Sequence, residues 1–109
     1  MLTKFQLSDL QMVNHATQPV VLKFTADWCP GCRQLAPLFE SVTEGYPDAV
    51  FYDVDVDEFL EFAQQGYHVM SIPTVVILKN GKEVDRVTAP EPSAEALKSF
   101  LDKNIANDD

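Results

Sequence analysis

The chain has 109 residues, 46% of them apolar, and 17 acidic against 8 basic side chains give it a formal charge of −9. That length and apolar content suit a single domain over residues 1–109 with one core. The acidity excludes nucleic-acid binding, which needs a basic stripe, and no apolar run approaches the ~20 residues of a membrane helix.

The start, Met1-Leu2-Thr3-Lys4-Phe5-Gln6, holds a lysine but no apolar stretch of the ~7–15 residues that a secretory leader carries, so a cytoplasmic location is expected. Leu2 to Phe5 allows a short strand. A helix follows with Ser8 or Asp9 as its N-cap and Leu10 and Val13 on one side. Val20-Val21-Leu22-Lys23-Phe24 is an apolar run that reads as a buried strand. Leu35, Leu38, Phe39 and Val42 then recur at helical spacing, with Pro37 expected to kink that helix and Gly45 and Pro47 to close it. Val50 to Val56 is a second strand, and Phe59, Phe62 and Ala63 mark a short helix that stops near Gly66. Strands from Thr74 to Leu78 and from Glu83 to Val87 flank the hairpin signal Lys79-Asn80-Gly81-Lys82. Ser93 caps a last helix bearing Leu97, Phe100, Leu101 and Ile105, and Asn107-Asp108-Asp109 reads as a frayed end. Phe5, Phe24, Phe39, Phe51 and Phe100 are expected in the core.

Cys29 and Cys32 are the only cysteines, and their spacing serves chemistry better than support. Closing so small a ring stabilises by about 2 kcal/mol, against about 3 for a 15-residue loop. What the spacing provides is a resolving thiol always within reach of an attacking one. Half of a zinc site is the competing reading, but zinc wants four ligands and the only histidines are His15 and His68, so no metal is expected. The pair falls where a strand ends and a helix begins. Cys29 at the helix N-cap would be stabilised as a thiolate by unpaired N–H groups and the macrodipole. Cys29 is therefore assigned the attack, as an exposed nucleophile, and the more enclosed Cys32 the resolving step. Asp55, Asp57, Glu58 and Glu61 lack the spacing of an EF-hand and read as a solvated strand end and helix start.

The run Phe24-Thr25-Ala26-Asp27-Trp28-Cys29-Pro30-Gly31-Cys32-Arg33, then Pro37, Val54-Asp55-Val56-Asp57, Ile72-Pro73-Thr74 and Lys79-Asn80-Gly81, resembles the thioredoxin family over nearly the whole chain. The resemblance implies an α/β fold, with a central mixed sheet of four or five strands flanked by helices on both faces. It implies dithiol–disulfide exchange at Cys29 and Cys32, a cis Ile72–Pro73 bond facing them, and substrate docking at Trp28, Ile72, Pro73 and Ala89. Protein disulfides are the implied substrates. No cofactor is expected to be bound; electrons would come from an external NADPH-dependent reductase, a thioredoxin-reductase-like flavoprotein, since no Gly-rich dinucleotide fingerprint occurs here. The chain is expected to act as a monomer and to reduce its targets. A disulfide oxidase or isomerase of the same fold, or a redox-silent binding module, are the alternatives.

Three departures from the family pattern bear on tuning. Pro30-Gly31 inverts the usual Gly-Pro, which places an N–H at Gly31 where a capping donor to the Cys29 thiolate acts. One unit of thiolate stabilisation would be worth ~1.4 kcal/mol, or ~30 mV toward a milder reductant. Lys23 stands where thioredoxins usually bury an Asp, and Asp53 falls on the adjacent strand, so the two are expected to form a pair with its charges exchanged between strands. A lysine whose ammonium reaches water is the competing reading. Ala89 stands where many members have a glycine, and its Cβ would narrow the docking groove.

Overall fold

In the computed structural model, residues 1–105 are described; Asn107, Asp108 and Asp109 lie outside them. The chain order is β1 (Leu2–Lys4), a 3-10 turn (Leu7–Asp9), α1 (Leu10–His15), β2 (Val20–Thr25), α2 (Pro30–Thr43), β3 (Val50–Asp55), a π-helical turn (Phe62–Gly66), β4 (Thr74–Lys79), β5 (Lys82–Thr88) and α3 (Ala94–Asp102). The strands form one sheet in the order β1-β3-β2-β4-β5. β1, β3 and β2 are parallel, whereas β4 runs antiparallel to β2 and to β5. This is the mixed sheet expected from the sequence, at its five-stranded limit.

Alternation along the strands builds a separate apolar layer on each face. Val20, Leu22 and Phe24 of β2 pack with Val13 of α1 and Ala63 of the π turn. Val21, with Phe51 of β3 and Val75 and Ile77 of β4, packs instead against Leu35, Phe39 and Val42 of α2 and Leu97, Phe100 and Leu101 of α3. All five phenylalanines expected in the core are buried. Lys23 shares the second face and lies over the Phe39 ring, 5.5 Å from its centroid.

Local chemistry explains where the elements begin and end. Ser93 Oγ accepts the Ala96 N–H at 3.1 Å and opens α3. Asn80 and Gly81 both adopt positive φ, 53° and 78°, as a two-residue hairpin turn requires. The tip of that hairpin meets the end of α1 so closely that a Cβ on Gly81 would overlap the backbone carbonyl of Asn14.

One helical expectation is corrected. The segment ending at Gly66 closes as a π turn rather than an ordinary helix. Phe62 and Tyr67, five apart, both join one aromatic cluster: Phe62 stacks on Phe5 at 4.7 Å and meets Tyr67 edge-on at 5.2 Å. A wider turn brings residues at that separation onto one side, and such turns recur at functional sites.

Candidate active site

β2 lies inside the sheet, and the chain leaving its C-terminal end turns directly into α2. That junction presents the cysteines. Cys29 is the N-cap of α2, in extended conformation, with Pro30 at the first helical position, where its missing N–H costs nothing. Cys29 and Cys32 are joined in a disulfide, with Cα atoms 5.2 Å apart. The Cys32 N–H donates to Cys29 Sγ at 3.2 Å. The capping donor is thus the N–H three residues on, and the expected donor at Gly31 is not the one that makes this bond. Gly31 has a different neighbour: a Cβ there would lie 3.7 Å from Pro73 Cδ.

Expectation and structure also differ on exposure. Cys29 is only 5% exposed and Cys32 2%, so neither sulfur stands out from the surface. What separates them is the space each one faces. Cys29 lines an outer cleft of about 410 Å³ together with Trp28, Pro30, Leu60, Met70 and Ile72. Cys32 lines a second, equally open cleft of about 380 Å³ with Lys23, Asp27, Arg33, Ala36 and Asp53.

The Ile72–Pro73 bond is cis. The Ile72 carbonyl oxygen lies 3.9 Å from Cys29 Sγ. Ala89 donates its N–H to the Pro73 carbonyl at 2.7 Å, which fixes this loop beside Pro73. Its φ of 49° is left-handed, a conformation that glycine adopts without penalty and alanine does not. Trp28 is 64% exposed and its indole N–H donates to Asp57 Oδ2 at 2.8 Å. Asp57 was legible only as part of an acidic strand end. Its role in holding the indole needed the fold, because 29 residues separate the two.

Lys23 and Asp53 are register partners on β2 and β3. Lys23 Nζ lies 3.2 Å from Asp53 Oδ1, with the lysine side chain 2% and the aspartate side chain 34% exposed. The reading of Lys23 as a lysine reaching water is overturned. Asp53 Oδ1 makes no aligned hydrogen bond, so the link is an ion contact beside the cleft that Cys32 lines. Asp55 accepts from the Asp57 and Glu58 N–H groups, which accounts for its place at the end of β3. His15 and His68 are exposed. Among the described residues no group of three or more His, Cys, Asp or Glu could hold a metal ion, and no helix is long and apolar enough to cross a membrane.

Comparison with known proteins gives a consistent picture. A sequence model of the thioredoxin family matches residues 4–103. Thioredoxin-2 of Saccharomyces cerevisiae is 43% identical over 86 residues, 79% of this chain and 80% of its own length. Thioredoxin H5 of Oryza sativa subsp. japonica is 50% identical over 68 residues, 62% of this chain and 50% of its own. Among solved structures, thioredoxin from Malassezia sympodialis superposes with a TM-score of 0.84 at 28% identity, covering 97% of this chain and 92% of its own. Oxidised thioredoxin from Plasmodium falciparum gives 0.81 at 30% identity, covering 97% and 100%.

Proposed function

The chain belongs to the thioredoxin family and is a thiol–disulfide oxidoreductase acting by dithiol–disulfide exchange, and from that premise we propose that it reduces disulfides in other proteins, with Cys29 attacking and Cys32 resolving. A target disulfide seats in the outer cleft between Trp28 and Ile72. The Cys29 thiolate attacks one target sulfur, and the other target sulfur leaves as a thiolate. Cys32, once deprotonated, attacks Cys29 Sγ in the mixed disulfide, which releases the second target thiol and closes the Cys29–Cys32 bond. Two electrons pass from the chain to the target.

The single observation carrying this division of labour is that Cys29 lines the cleft shared with Trp28, Leu60, Met70 and Ile72, whereas Cys32 lines the one shared with the charged Lys23, Asp27, Arg33 and Asp53. As helix N-cap, Cys29 also has a backbone donor for its negative charge. We assign tuning of the second step to Lys23 and Asp53, which line the same cleft as Cys32: the carboxylate takes the Cys32 proton across that cleft, and the ammonium favours the thiolate that results. Trp28, Ile72, Pro73 and Ala89 dock the target, with Pro30 and Gly31 shaping the turn beneath it. A separate NADPH-dependent flavoprotein restores the dithiol. The monomer works in the cytoplasm, where the reducing poise suits a recyclable dithiol.

Insulin reduction coupled to NADPH and a thioredoxin reductase tests the assignment. Cys29→Ser is expected to abolish turnover, and Cys32→Ser to accumulate a mixed disulfide through Cys29. A mixed disulfide formed through Cys32 would overturn the order of attack.

A further inference from the structure

Exchange chemistry makes no use of Met70, which is 84% exposed and lines the outer cleft with Trp28, Cys29 and Ile72. Its exposure is imposed by its anchored neighbours. Val69 is 5% exposed and its N–H bonds to the Ala63 carbonyl at 3.0 Å, at the close of the π turn. On the other side the Thr74 hydroxyl donates to the Ser71 carbonyl at 2.7 Å, and Pro73 is buried. Between these fixed points the backbone holds an unbranched thioether at the rim of the cleft, in water and beside the disulfide. A thioether there adds apolar contact to a docked chain and adapts to varied side chains. It is also the side-chain type that peroxides oxidise, at a rate that follows exposure.

We propose that Met70 is a peroxide-sensitive docking residue, whose conversion to the sulfoxide weakens the seating of protein substrates without altering the Cys29–Cys32 chemistry. In the step itself, hydrogen peroxide transfers one oxygen atom to the Met70 sulfur. The O–O bond breaks and an S–O bond forms; sulfur loses two electrons and the peroxide leaves as water. An apolar rim side chain thereby becomes a polar, chiral one. The inference rests on the outer cleft being the substrate cleft, as proposed above.

The chain carries its own reference residue. Met12, on α1, is 40% exposed and lies in a different groove with Ser8, Asp9 and His15. Peroxide is applied to the disulfide form, so that neither cysteine is a thiol, and the product is mapped by peptide mass before kinetics. Met70 sulfoxide is expected to form ahead of Met12 sulfoxide. KM for insulin should then rise about tenfold, the loss of one apolar anchor, while the rate with 2-hydroxyethyl disulfide, too small to span the cleft, holds within about twofold. Met70→Leu should keep its own KM through the same treatment, and Met70→Gln should show the raised KM without it. An unchanged KM in fully Met70-oxidised protein, a KM shift that persists in Met70→Leu, or prior oxidation of Met12 would each overturn the inference. Untreated protein that leaves insulin intact would overturn the reductase reading as well, whereas failure of the peroxide arm alone would not.

Discussion

Asp53→Asn and Lys23→Met remove opposite ends of one ion pair, yet they are expected to cost very different amounts. The pair is lopsided: the lysine side chain is 2% exposed and the aspartate side chain 34%. Asp53→Asn leaves an ammonium in the apolar layer over Phe39 without a counter-charge, for which about 3–5 kcal/mol is typical. At about 4 °C per kcal/mol, Tm should fall by roughly 12–20 °C. Lys23→Met instead leaves a carboxylate whose Oδ1 is buried but whose side chain is one-third exposed, so that water can solvate it after a small rotation, and fills the site with an apolar chain of similar length. Its effect should stay within about 1 kcal/mol in either direction. Thermal and urea unfolding of the disulfide forms, followed by circular dichroism, measures both losses. Equal losses in the two variants, or a larger loss in Lys23→Met, would refute the reasoning.

Ala89→Gly relieves a left-handed alanine at φ 49°, and after the entropy that glycine adds to the unfolded chain it should stabilise by about 0.5–1 kcal/mol in urea; a loss would mean that the methyl packs usefully. Gly81→Ala combines φ 78° with an overlap on the Asn14 carbonyl and should lose more than about 2 kcal/mol, with unchanged stability counting against the contact. Tyr67 has its pKa raised above the ordinary 10.0 by burial first and by Glu83 second. The folded state therefore keeps that proton longer than the unfolded one, and the resulting stability is complete below pH 10 and lost as pH climbs through the folded value. Tyr67→Phe should flatten the alkaline limb of the stability–pH curve, and an unchanged limb would assign it to other groups.

Patterns with a short period were the legible part. Alternation in β2 and β4, the capping serine at α3 and the Asn80-Gly81 turn follow from neighbours in the chain, and each element fell within a residue or two of its expected place. Cys29 at the head of α2 was legible for the same reason, because strand end and helix start adjoin. Lys23 and Asp53 could be paired only through family resemblance, since neither residue's surroundings in the chain say that β2 and β3 are adjacent. Three features escaped. The donor to Cys29 depends on backbone direction within one turn, which residue identity does not encode. Trp28 finds Asp57 only after β3 is laid beside β2. The π turn arises because Phe62 and Tyr67 share an aromatic cluster at a separation of five, a periodicity that helical spacing does not test.

The sheet has two edges, and neither is hospitable. β1 is three residues long, and β5 carries Lys82, Glu83, Asp85 and Arg86 among its seven. Short and charged edges resist pairing with stray strands. For a protein whose proposed partners are other polypeptides, often with extended segments uncovered, that resistance has a particular value. An open edge would hold such a segment by its backbone, indifferent to whether it carries a disulfide, and would invite fibrous co-assembly in place of turnover. With the edges closed, capture is left to the cleft beside Cys29, where a bound segment can be released once its disulfide has been exchanged.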